Sequence, residues 1–156
     1  MPPAAPSTAT ELDAWTAFAQ AARMLVTRLD SELQRDTGLP LACYELLAQL
    51  ARAPGAVRMS ELAAATHSSP SRITHTVDRL ADRGWVERRD CAEDRRGCSA
   101  VLTGAGRRAF ERAEASHAAI VRAHLVDHLS AGQLEELCSI SKTVLGHLCR
   151  SASQAG

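Results

Sequence analysis

Between Ser69 and Gly106 the chain reads SPSRITHTVDRLADRGWVERRDCAEDRRGCSAVLTGAG, a stretch that leaves little freedom in local structure. Ser69 is a strong N-cap residue, and Pro70 suits the first helical position, where its missing N–H costs nothing. Ile73, Val77 and Leu80 then fall at i, i+4 and i+7, one narrow apolar stripe. The opposite face carries Arg72, His75, Thr76 and Arg79. Gly84 ends the helix. Trp85–Arg88 and Ala100–Leu102 are expected to pair as strands around a charged tip, Ala92–Gly97. A helix with an apolar inside and a donor-rich outside, beside an arginine-tipped hairpin, has the form of a DNA reader.

The rest of the chain reads as helices that support this unit. Leu12, Trp15, Ala19, Ala22, Leu25 or Val26, Leu29 and Leu33 keep helical spacing from Glu11 to Arg35, closed by Gly38 and Pro40. A second helix is expected from Leu41 to Ala53, stopped by Pro54-Gly55. Ser60 would cap a short third helix, Glu61–Thr66, joined to the reader by His67-Ser68-Ser69 in a helix-turn-helix pattern. Val57-Arg58-Met59 can add a short strand. Thr103 would cap a long helix to about Val126, and Ser130 the last one. The expected fold is mainly α with a small β-hairpin wing (α+β). A winged helix-turn-helix lobe, about 41–103, joins a helical dimerisation lobe, about 11–37 and 104–150. Frayed tails are expected at 1–10 and 151–156. Long helices at both chain ends cannot all bury their stripes on one small lobe, so a homodimer is the economical arrangement.

Charge sharpens this reading. The chain is neutral overall, with 18 basic and 18 acidic residues. Residues 52–112 nevertheless carry 12 arginines against 8 acids, and the segments on either side are net acidic. A basic excess confined to the reader is the footprint of a surface that meets phosphate. No run approaches the roughly 18 apolar residues of a membrane span, and MPPAAPSTAT has no basic start or apolar core, so no membrane partner is expected. The five cysteines form no CxxC pair and no even framework, which fits a reducing, cytoplasmic setting.

These elements resemble the MarR family of winged helix-turn-helix regulators over about residues 10–150. The resemblance is carried by Met59-Ser60-Glu61-Leu62-Ala63, then SPSRITHTVDRLADRGWVERR, then Glu93-Asp94-Arg95-Arg96, then Leu102-Thr103 with Gly106. Asp94 and Arg96 match the family's Asp-x-Arg wing signature. Two departures stand out: Cys91-Ala92 where an acid-proline pair is common, and Cys43 before Tyr44 where glutamine is common. The resemblance implies a dimeric, effector-released repressor of transcription on a pseudo-palindromic duplex operator, and not an enzyme. It places the reader helix in the major groove and the wing in the minor groove.

Candidate DNA contacts follow from position. Ser69, Ser71, Arg72, Thr74, His75 and Thr76 lie at the cap and in the first turns, the part that reaches base edges, and Arg79 lies further along the same face. Arg72 is the candidate for a bidentate guanine contact. Arg95 or Arg96 would enter the minor groove, with Asp94 holding an arginine of the hairpin. No phosphate loop, nucleophile elbow or paired metal motif is present, and Cys43 with a histidine is a weak catalytic set.

Three sensing modes remain open. One is a small aromatic or anionic effector in a cleft lined by Trp15, Arg23 and Tyr44. Another is oxidation of Cys91 and Cys98, which could face each other across the hairpin. The last is metal at His117, His124 and His128. These histidines also share a stripe with Phe110, Ala113 and Ile120, so packing is the commoner role, and neither a metal nor a cofactor is expected. The alternative to a ligand-controlled regulator is a winged-helix protein-interaction or thiol-redox-sensing module.

Overall fold

The computed structural model describes residues 8–90 and 98–154. The chain divides into two compact units, Met1–Ile120 and Val121–Gly156.

The first unit opens with α1 (Ala9–Thr37), which starts two residues earlier than the sequence suggests. Thr8 supplies the reason. Its hydroxyl accepts the Glu11 N–H at 3.3 Å while the Glu11 carboxylate accepts the Thr8 N–H at 2.6 Å, a reciprocal cap that settles two otherwise unpaired donors. Gly38 closes the helix in the left-handed region at φ 69°, which only glycine adopts without strain. Then come α2 (Leu41–Arg52), β1 (Val57–Arg58) and α3 (Met59–Ala65). Helix α3 begins one residue before Ser60, which is therefore not its cap. The Glu61 carboxylate reaches back to the Arg58 N–H at 3.2 Å and moves the start forward.

The reader helix is α4 (Pro70–Asp82), followed by β2 (Val86–Asp90), β3 (Cys98–Leu102) and α5 (Gly104–His124). Strand β3 is central in the antiparallel order β1-β3-β2, with Val57 opposite Ala100 and Val86 opposite Leu102. Val57-Arg58 thus forms the expected third strand. The core lies under this sheet and around α2, which touches α1, α3, α4 and β3. Leu33, Leu39, Leu46, Leu47, Leu62, Val77 and Leu80 are fully enclosed. Each such side chain contributes about 1.5–3 kcal/mol through its burial, and together they fix the reader's inner face.

In the second unit, the end of α5 leads through a 3-10 turn (Val126–His128) into α6 (Ala131–Gln154), which continues past the expected end near residue 150. Ser130 caps α6 as expected: its hydroxyl accepts the Gln133 N–H at 3.3 Å and its own N–H donates to Gln133 Oε1 at 2.9 Å. Helices α1 and α6 each leave an apolar face exposed in the single chain. On α1 it is Leu12, Trp15 and Phe18, and on α6 Ile140, Val144, Leu145 and Leu148.

Candidate nucleic-acid interface

The cap expected at Ser69 forms: its hydroxyl accepts the Arg72 N–H at 3.4 Å, and Pro70 takes the first helical position. Ile73, Val77 and Leu80 are buried on the inner side. Ser69, Ser71, Arg72, Thr74, His75 and Arg79 are all exposed, and Thr76 is half-buried. The seven reader residues named from sequence therefore share the end and outer face of one helix. The hydroxyls are not equivalent. Thr74 donates to the Pro70 carbonyl at 3.0 Å and Thr76 to the Arg72 carbonyl at 2.8 Å. Each proton is engaged within the helix, so each oxygen is left as an acceptor, suited to an amino group of adenine or cytosine.

Arg72 borders a cleft of about 400 Å³ lined by Val26, Thr27, Asp30, Ser31, Leu41, Ala42 and Glu45. Burial pushes the Glu45 carboxyl up, and the Arg72 charge pulls it part of the way back. Cys43, beneath this surface, is 3 % exposed, and burial raises its thiol pKa against the opposing pull of Arg79 and Arg83. A buried thiol held protonated is a poor nucleophile.

The root of the wing is built from backbone bonds. Gly84 turns the chain at φ 69°, and the Trp85 N–H donates to the Leu80 carbonyl at 2.9 Å. Arg83 lies over the Trp85 ring at 5.0 Å and donates to the Gly38 carbonyl at 3.2 Å. Thr103 donates its hydroxyl proton to the Gly84 carbonyl at 2.8 Å and accepts the Gly106 N–H at 3.0 Å, capping α5 as expected. Along the strands, Ser99 Oγ donates to the Arg89 carbonyl at 3.1 Å, and Arg89 pairs with Glu87 at 3.6 Å. An ion pair that the sequence reading missed joins reader to wing: Arg88 Nη1 meets Asp78 Oδ1. Ten residues and a reversal of direction separate the two, so no helical or strand periodicity signals it.

Asp94, Arg95 and Arg96 of the wing signature, and Cys91, lie outside the described residues. In the strand register Asp90 is directly opposite Cys98.

The three residues expected around an effector are not gathered into one pocket. Trp15 is 65 % exposed on α1. Arg23 lines a cleft of about 430 Å³ with Met24, Thr27, Arg28 and Ser31. Tyr44 is a core residue, stacked on Phe110 at 5.7 Å and on His117 at 4.4 Å. A separate cleft of about 280 Å³ lies between α1, the wing root and α5, lined by Asp36, Thr37, Leu39, Trp85, Ala109, Arg112 and Ser116. Of the candidate metal ligands, His117 belongs to the aromatic stack, and His128 Nε2 lies 2.9 Å from the Ala123 carbonyl oxygen. Among the described residues no group of three metal-ligating side chains comes together.

Known proteins share both this sequence and this architecture. A sequence profile of the MarR family matches residues 37–97. The HTH-type transcriptional regulator BilQ of Clostridium symbiosum is 31% identical over an alignment of 128 residues that covers 76% of this chain and 83% of BilQ. Sco3205, a MarR family transcriptional regulator from Streptomyces coelicolor solved in complex with DNA, is 39% identical with a TM-score of 0.87, over 92% of this chain and 94% of that one. AbsC, another from the same organism, is 37% identical with a TM-score of 0.85, over 93% and 98%. These are regulators of transcription rather than enzymes. The helix-turn-helix, its wing and these likenesses together establish that the chain belongs to the MarR family of DNA-binding transcriptional regulators.

Proposed function

We propose that the chain acts in the cytoplasm as a homodimeric repressor, released from a pseudo-palindromic operator by a small effector. The reader face of α4 carries this reading: Arg72 and His75 stand exposed beside acceptor hydroxyls while the opposite side of the helix is sealed into the core. In the major groove these groups reach base edges, and the wing arginines Arg95 and Arg96 enter the adjacent minor groove. The apolar faces of α1 and α6, from Leu12 to Phe18 and from Ile140 to Leu148, supply the surface for a second copy. Two readers related by a two-fold would address half-sites roughly 10 bp apart. The effector site is the Trp85 cleft. An aromatic acid there would stack on Trp85 and set its carboxylate on Arg112, at the root of the wing whose position it must change.

The test is selection from randomised duplex DNA at near-physiological salt, with sequencing of the bound pool. An inverted-repeat consensus supports the dimeric regulator. Retention without a consensus replaces it with an architectural DNA binder, and no retention replaces it with a protein-interaction module. Release by aromatic carboxylates that Arg112→Ala abolishes would place the effector. Equal release from both proteins would move the site elsewhere.

A further inference from the structure

An arginine on the strand of a wing is ordinarily counted as a phosphate contact, and an acid near the same surface as a penalty on DNA binding. Arg88 and Asp78 do not fit that accounting. Strand alternation places Arg88 on the same face as Val86, which is 2 % exposed, and opposite Ala100, which is fully buried. The arginine therefore leaves the strand on its inner, core-facing side. Its side chain, 40% exposed, carries the guanidinium to Asp78 on the reader helix. The Cys98 sulfur borders the same guanidinium from the neighbouring strand. Arg89, on the outer face, pairs its side chain with Glu87 of the same strand.

The bonds at Trp85 and Thr103 hold only the root of the wing. Above the root, Asp78–Arg88 is the side-chain bridge from reader to wing among the described residues. The two side chains are 47% and 40% exposed, so the pair adds little to global stability. Its geometric effect is larger, because it ties β2 to the reader helix beyond the root of the wing.

We propose that Asp78 and Arg88 are positioning residues: a strut that sets the wing against the reader helix, through which Arg88 serves DNA binding without touching phosphate. The strut rests on the DNA-binding reading above, and one of its measurements needs no DNA.

The two accounts of Asp78 predict opposite signs. If the acid merely repels DNA, Asp78→Asn tightens binding to the selected operator. If it holds the strut, Asp78→Asn weakens binding about tenfold. Arg88→Gln then does the same while the slope of log affinity against log salt stays at the wild-type value. A lost phosphate contact would instead reduce that slope by about 0.9. The double reversal Asp78→Arg with Arg88→Asp restores most of the affinity. Unchanged or tighter binding by Asp78→Asn, a reduced slope for Arg88→Gln, or failure of the reversal overturns the strut. Without DNA, amide exchange in β2 speeds up in Asp78→Asn at an unchanged melting temperature, and unaltered exchange also overturns it. A wild-type protein that selects no operator counts against the proposed function alone, since the exchange measurement still judges the strut.

Discussion

The Asp30 carboxylate, on α1, accepts a hydrogen bond from the backbone N–H of Leu41 at 2.7 Å and so caps α2 from eleven residues upstream. Helix α2 follows Pro40, which offers no side-chain acceptor. Capping from another helix does two things at once: it satisfies a first-turn donor, and it fixes the α1–α2 corner that carries the buried Leu33 and Leu39.

Replacing Asp30 by alanine is expected to cost about 1 kcal/mol, the usual scale of a lost N-cap. Asp30→Asn keeps an acceptor and should retain most of it. Thermal unfolding of the two variants checks this, and equal melting temperatures for Ala and wild type would contradict the cap.

Gly106 is expected to tolerate no side chain. A Cβ there would run into the Trp85 carbonyl, which is backbone already engaged by the Thr103 N–H, and would lie 2.8 Å from Leu102 Cδ1. Gly106→Ala should destabilise the fold by about 3 kcal/mol, the upper end of overpacking. Denaturant unfolding measures it, with Gly132→Ala as control, since nothing lies within 4 Å of a Cβ at that position.

Burial against Tyr44 lowers the proton affinity of His117 below its ordinary 6.5, and Glu114 offsets this in part. The unfolded chain then binds a proton at a pH where the folded chain does not, so stability rises with pH across that interval. The contribution of the neutral stack is complete above the ordinary value and is lost as pH falls through the lowered one. His117→Phe should flatten the fall in unfolding free energy between neutral and mildly acidic pH. An unchanged profile would place the acid sensitivity elsewhere.

Arg72→Ala should relax sequence preference at one position of each half-site, by about 1–3 kcal/mol of discrimination. The readout is the selected consensus, which should lose that position while its flanks remain.

Arg96→Ala should weaken binding broadly, with the melting temperature unchanged. Titration against one operator of fixed sequence measures the loss, and equal affinities would remove Arg96 from the interface.

What could be read from the sequence was local chemistry. Ser69-Pro70, Gly84, Thr103 and Ser130 each mark an element boundary through one residue's hydrogen bonding or backbone freedom, and each does so in the structure. The start of α3 was misplaced for a reason of the same kind: Ser60 and Glu61 both offer an acceptor near one helix start, and the carboxylate reaches the earlier N–H. Long-range partners were not legible. Tyr44 could line a pocket or fill a core, and the choice rests on Phe110 and His117, which approach it from α5. Asp30 belongs to none of the stripes in the sequence, and its role rests on Leu41, eleven residues away. Asp78 lay between the inner and outer stripes of α4, where neither pattern gives it a task.

Thr103 ties three parts of the chain through a few atoms. Its hydroxyl hydrogen holds the turn that ends the reader helix, its hydroxyl oxygen holds the first turn of α5, and its N–H holds the Trp85 carbonyl. The end of the reader helix, the foot of the wing and the start of α5 therefore share one anchor residue. Losing its hydroxyl unfastens both helix ends together, while the backbone bond to the wing remains.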